Sequence, residues 1–190
     1  FLCRHDPMGL VGRMADAADA DHSGLIMERY QEGPQISSET LIWEGRGTNV
    51  AFVDRFYGEL FGKEHGGSSP SHWAFIDRPA SNKLIDDAAR ALGIRYGTIK
   101  ADLVLTEEGP KIIELTCRLS GGPLSRIVLE SEGVDYLRQA VRIAVGKEPE
   151  WERTTRRATP KKVAVDMNGN QMDWEESRKY IVKELGKVRR

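Results

Sequence analysis

The 190-residue chain predicts an α+β fold, an antiparallel sheet with flanking helices, and three stretches carry that reading. Residues 97–117 hold two runs rich in Ile, Val and Leu around Thr106-Glu107-Glu108-Gly109-Pro110, and apolar runs closing on a Gly-containing turn read as a β-hairpin. Ahead of it, Leu84, Ile85, Ala88, Ala89 and Leu92 recur at helical spacing, with Ser81 as a candidate N-cap and Gly93 past the end. Behind it, Val134, Leu137, Val141 and Ala144 mark a second amphipathic helix ending at Gly146.

Taken in order, Phe1-Leu2-Cys3 reads as a strand end, followed by Arg4 and a loop containing Gly9 and Gly12, whose glycines free the backbone to approach an anion. Residues 24–53 read as strand, turn, strand: Leu25-Ile26-Met27, the turn Glu32-Gly33-Pro34, and Ile36–Trp43. Residues 54–72 open with Phe56, Tyr57 and Phe61 and become so rich in Gly and Ser that they read as a flexible loop, a lid or acceptor-binding element. Its His65 and His72 are candidate bases or ligands, though loop histidines are mostly bystanders. The helix over 78–92, the hairpin and the helix ending at Gly146 follow. Residues 148–162 read as a linker; Trp151 is its one aromatic and acidic residues interleave its basic cluster, which argues against a nucleic-acid patch. Val163–Met167 predicts a short strand, Asn168-Gly169-Asn170 a turn, and Met172–Val188 a helix.

The hairpin carries the chemical information. Centring its turn on Glu108 sets Asp102 opposite Glu114 and Lys100 opposite Thr116. Lys100, Asp102, Glu114, Thr116 and Arg118 then share one face, and Ile99, Ala101, Leu103, Ile113, Leu115 and Cys117 form a core face. Like charges directly opposite each other are destabilising, so the acid pair needs a positive group between its members. Lys100 or Arg118 could supply it, leaving a solvated hairpin with a salt-bridge ladder. A divalent cation could also supply it, because hard oxygen ligands suit Mg²⁺.

Asp102 followed by Glu114-Leu-Thr-Cys-Arg118-Leu-Ser-Gly-Gly resembles the closing motif of ATP-grasp enzymes, the ATP-dependent carboxylate–amine or thiol ligases and relatives such as biotin carboxylase and carbamoyl-phosphate synthase. The resemblance implies two lobes around ATP, with Asp102, Glu114 and Thr116 as ligands of Mg²⁺ (or Mn²⁺); Thr116 stands where many members have Asn. It implies Arg118, and with it Lys100, as the groups that neutralise the transferring phosphoryl, and Ser120, Gly121 and Gly122 as a loop beside the acyl substrate. Arg4, Gly9 and Gly12 resemble the phosphate-binding segment, with Arg4 in place of Lys. Met27–Tyr30 resembles the adenine hinge, giving Glu28, Arg29 and Tyr30 to ATP, and Gln35 sits at the ribose position where the family carries Glu. Ser37-Ser38-Glu39 resembles Ser-Val-Glu on the substrate side, with Glu39 facing substrate; read without the family, it is a solvent-facing strand surface. The domains implied are 1–53, a glycine-loop and adenine-hinge lobe; 54–147, a metal-binding lobe; and 148–190, a linker and small tail.

The function implied is an ATP-dependent carboxylate–amine ligase of the amino-acid ligase branch, with small-molecule carboxylate and amine substrates. A carboxylase- or synthetase-type subunit acting on bicarbonate or a nucleotide precursor stands beside it, as does a nucleotide-binding remnant without turnover. A net charge of −1 provides no global field for nucleic acid or an anionic membrane. Two cysteines, one on a predicted core face, suit a reducing cytoplasm, and no apolar run approaches a membrane span. The start at Phe1 and the greater length of the family's members predict a fragment, or a chain lacking segments near Met14. A homodimer is compatible with all of this.

Overall fold

The computed structural model describes residues 28–57, 64–73, 76–150 and 159–180. A two-residue turn sets its first hairpin. Strand β1 (Gln35–Trp43) meets β2 (Arg46–Tyr57) through Glu44 and Gly45, both at positive φ, the two-residue turn whose twist matches paired strands. The Val50-Ala51-Phe52-Val53 run within β2 is the signal that the sequence reading passed over. Strands β3 (Glu64–Ser69), β4 (Gly97–Thr106), β5 (Gly109–Thr116) and β6 (Val163–Asp166) complete a six-stranded antiparallel sheet in the order β5-β4-β1-β2-β3-β6.

Two corrections to the sequence reading have clear causes. Residues 64–69 form a strand, not a flexible loop. The missing side chains of Gly66 and Gly67 let the Val165 and Asp54 carbonyls pack where Cβ atoms would stand, so β3 fits tightly between β2 and β6. In the hairpin, a bulge shifts the register between Asp102 and Leu103, so Leu103 faces Ile112. Ile112 packs on the core, while Ile113, expected inside, is 48% exposed. Cys117, also expected inside, is an exposed free thiol beyond the end of β5.

Helix α1 (Arg78–Ala91) covers one face of the sheet. Its N-cap is Asp77, whose carboxylate accepts from Ala80 N at 2.9 Å; Ser81 lies buried inside the first turn instead. Ile85 and Ala89 of α1 pack with Ile36, Ile42, Phe52, Phe56, Ile99, Ala101 and Leu103. The opposite face is covered by α2 (Leu124–Glu132) and α3 (Tyr136–Ala144), whose Leu124, Ile127, Val128 and Ile143 pack with Leu41, Val50, Val53, Val163 and Val165. Helix α2 was not read from sequence, although Pro123 before it and Gly133 in left-handed conformation after it are standard start and stop signals. Of the tail helix expected over Met172–Val188, residues 174–180 are helical, Met172 and Asp173 precede the helix, with Asp173 accepting from Glu176 N at 2.9 Å, and residues 181–188 lie outside the described residues, as do Leu25–Met27 and most of the linker.

Candidate active site

The sheet order builds the site. Strand β4 lies between β5 and β1, so Asp102 faces Glu114 on one side and Ser37 on the other, and Lys100 faces Thr116 and Glu39. Strand alternation puts these six side chains on one face, the one that α2 and α3 cover farther along. The hairpin register read from sequence holds here, on the far side of the bulge from the turn.

Lys100 sits between the two acids. Its Nζ donates to Asp102 Oδ2 and, at 3.3 Å, to Glu114 Oε2. From β2, Arg55 Nη1 also donates to Asp102 Oδ2, reaching over β1, while its Nε and Nη2 donate to the two carboxylate oxygens of Glu64 at 3.0 and 2.7 Å. Thr116 Oγ1 donates to Glu114 Oε1 at 3.0 Å; that hydrogen bond, then the charge of Lys100, holds the Glu114 carboxyl below the usual range. Glu114 is open to solvent with 55% of its side chain exposed, whereas Asp102 is 6% exposed. Asp102 Oδ1 is buried and has no hydrogen-bond partner.

Ser37, Ser38 and Glu39 are fully buried, which overturns a solvent-facing strand surface. Ser120 Oγ donates to Glu39 Oε1, and Glu39 Oε2 has no partner. Burial pushes the Glu39 carboxyl up to about 7, against the opposing pull of Ser120 and Lys100. Tyr136 of α3 lies over this point, its hydroxyl donating to the Thr40 carbonyl at 3.4 Å; burial and the neighbouring Glu39 raise its pKa.

The other sequence candidates fall around this centre. Arg118 lies just past β5, exposed, and donates to the Leu119 carbonyl at 2.9 Å. Gly121 and Gly122 are exposed in the loop that carries Ser120. Gln35 is half-buried at the start of β1 beside Val104, and Glu28, Arg29 and Tyr30 are exposed ahead of it. Arg4, Gly9 and Gly12 lie outside the described residues. His72 belongs to the opposite face: its ring stacks on Trp174 at 3.9 Å, its Nε2 is 3.2 Å from Ser177 Oγ, and burial lowers its pKa to about 4. Its backbone N–H donates at 2.6 Å to buried Asp54, which also accepts from Ser71 and Ser68, a network that fixes the turn after β3. His65 stacks on Tyr180 at a ring separation of 6.4 Å.

Sequence reasoning missed Arg55 and Glu64. A lone arginine inside the apolar run Val50–Phe56 was the available signal, because a charge in such a strand needs a partner.

No family model matches the chain. The chain is similar to the solved structure of an L-amino acid ligase from Bacillus licheniformis (23% identity, TM-score 0.60, covering 71% of this chain and 34% of that one). It is also similar to the biotin carboxylase domain of a 2-oxoglutarate carboxylase from Hydrogenobacter thermophilus, in complex with MgADP and bicarbonate (21% identity, TM-score 0.59, 74% and 31%). The fold is that of the ATP-grasp proteins. In sequence, carnosine synthase 1 of Homo sapiens is 26% identical over 140 residues, 69% of this chain and 17% of that protein. The chain spans between 17% and 30% of the length of the curated relatives it matches.

An ATP-grasp fold implies a divalent cation and a nucleotide, and the acid pair fits a cation. Buried Asp102 Oδ1 lacks a partner, and Glu114 beside it is open. Among the described residues no three His, Cys, Asp or Glu side chains gather as a complete ligand set. Two carboxylates suit Mg²⁺, which completes its shell with phosphate oxygens and water. Among the described residues no helix is long and apolar enough to cross a membrane.

Proposed function

We propose that this chain is the nucleotide- and metal-binding portion of an ATP-dependent carboxylate–amine ligase. The observation that carries the reading is the facing pair Asp102 and Glu114, bridged by Lys100, with Asp102 Oδ1 left unpartnered. The ATP-grasp neighbours support it at the level of reaction class.

Mg²⁺ held by Asp102 and Glu114, with Thr116 beside them, would neutralise the β- and γ-phosphates and orient the γ-phosphoryl. Arg118, exposed at the mouth of this face, balances charge on the transferring phosphoryl group, and Lys100 turns from the acids toward it. A substrate carboxylate oxygen attacks the γ-phosphorus, the bond to the β–γ bridging oxygen breaks, and ADP leaves. The amine then attacks the acyl carbon of the acylphosphate, phosphate departs, and the nitrogen gives up a proton as the amide forms. Glu39 lies buried beneath Ser120 on the substrate side of the same face.

Substrate-dependent ADP release tests this in the protein that carries the chain. Glu114→Gln should abolish it while the thermal midpoint changes little, and Asp102→Asn should abolish it and also lower the midpoint, because Lys100 and Arg55 lose their buried counter-charge; release at the wild-type rate in either variant would refute the reading. A second reading, nucleotide binding without turnover, draws on the pairing of Asp102 with both Lys100 and Arg55, which satisfies one carboxylate oxygen without metal. Calorimetry with Mg-ATP, followed by phosphate release against a panel of amino acids, separates the two.

A further inference from the structure

Arg55 is fixed at both ends. It forks onto Glu64 through two N–H groups, donates another to Asp102 Oδ2, and lies over the Tyr57 ring at 5.3 Å. The side chains of Arg55, Glu64 and Asp102 are 13%, 19% and 8% exposed, so water screens this charge little. A planar guanidinium satisfied in this way cannot turn aside without breaking several charge-assisted hydrogen bonds. Lys100, a flexible single ammonium, can.

Around the unpartnered oxygen of Asp102, two cations, Arg55 and Lys100, face three carboxylates, Asp102, Glu64 and Glu114. A divalent cation arriving alone meets acids already nearly compensated and a fixed like charge beside its own seat. A cation arriving with a polyphosphate brings further anionic ligands of its own. The geometry points to Arg55, held by Glu64, as the residue that keeps this site weak for a bare divalent cation, so that the metal is taken up as its nucleotide complex. The inference rests on the assignment of Asp102 and Glu114 as metal ligands.

The test is direct binding of Mn²⁺ to the full protein, with and without ATP, read from the electron paramagnetic resonance signal of free Mn²⁺. The wild type should bind Mn²⁺ weakly alone and far more tightly with ATP. Arg55→Gln should bind bare Mn²⁺ at least fivefold more tightly, since Lys100 still partners Asp102 and the repelling charge is gone. Arg55→Lys, which keeps the charge, should stay within about twofold of the wild type. Glu64→Gln, which removes the charge that compensates Arg55, should weaken bare Mn²⁺ further. Arg55→Gln binding no more tightly than the wild type, or Glu64→Gln binding more tightly, overturns the inference; if Arg55→Gln fails to fold, the sign of the Glu64→Gln change decides. A residue that only holds the fold would lower the thermal midpoint in all three variants and leave the Mn²⁺ affinity of the folded protein unchanged. Asp102→Asn separates the underlying assignment: wild-type Mn²⁺ binding in that variant removes the metal site itself, whereas its loss with no change in Arg55→Gln removes only the role given to Arg55.

Discussion

Ser120 donates a hydrogen bond to Glu39, tying the loop behind β5 to the middle of β1 across 81 positions of sequence. The contact holds a glycine-rich loop down on a carboxyl that is fully buried and whose other oxygen has no partner. Burial, the largest influence on Glu39, raises its pKa from 4.5 to about 7, so between those values the folded chain binds a proton that the unfolded chain has released. That contribution to stability is complete below about pH 4.5 and is lost as pH rises through 7.

Glu39→Gln removes the titration and keeps an acceptor for Ser120. Wild-type stability relative to this variant should fall between pH 5 and pH 8 by up to about 3 kcal/mol, following the size of the shift. The titrations of Asp54 and His72 are common to both proteins and cancel in the difference. Urea denaturation at four pH values in that range reads it, and a flat difference would show that Glu39 ionises without penalty.

The bulge in the central hairpin makes a prediction of its own. Ile112 packs on the α1-side core and Ile113 points to solvent, so Ile112→Ala should cost about 2 kcal/mol and Ile113→Ala well under about 1 kcal/mol. Equal costs, or the reverse order, would restore the unbulged register. The acid pair lies on the far side of the bulge from the turn, and with Thr106 facing Gly109 it is the residue inserted there that brings Glu114 opposite Asp102.

What the sequence made legible follows physical range. Asp102 against Glu114 and Lys100 against Thr116 were legible because both pairs lie in one hairpin: a turn centred on Glu108 sets Thr106 opposite Pro110 where it in fact faces Gly109, and the bulge makes up that one-residue difference before the acid pair. The insertion at the bulge has no local signature, so Ile113 was turned to the wrong face. Arg55 and Asp102 were not connected because their strands are not neighbours; their contact exists only through the order β4-β1-β2. Glu39 was noticed for its motif, but its burial comes from Ser120 and Tyr136, distant in sequence. Strand β3 was lost to composition: Gly and Ser suggest a loop when neighbours are unknown, and these glycines are there to admit neighbouring backbones.

Arg118 separates chemistry from stability. It is exposed and its guanidinium is bonded to the adjacent Leu119 carbonyl, so Arg118→Ala should move the thermal midpoint by no more than about 1 °C. If Arg118 balances charge on the phosphoryl group, the same substitution should slow substrate-dependent ADP release by about 10²–10³-fold. Unchanged release would remove Arg118 from the site and leave the fold as described.

Asp54 tests the opposite face. It accepts from Ser71, from His72 N–H at 2.6 Å and from Ser68, and its removal would leave those donors buried or strained. Asp54→Ala should cost about 3 kcal/mol and leave Mn²⁺-ATP binding intact, because Asp54 and Arg55 point to opposite faces of β2. Loss of binding in a folded Asp54→Ala protein would show that the two faces are coupled.

Gly66 bears on whether β6 belongs to the same cooperative unit as the site. A Cβ at this position would strike the Val165 carbonyl oxygen, and the backbone there has φ 159°, which disfavours a side chain as well. Gly66 pairs with Asp166, so Gly66→Ala should force β3 and β6 apart while β2, β1 and β4 keep their register. Amide hydrogen exchange should accelerate at Val163–Asp166 by about tenfold or more, with little change at Ile99–Leu103. Uniform acceleration across both segments would mean that the sheet opens as a single unit, and that the acid pair depends on β6 as closely as on the hairpin that carries it.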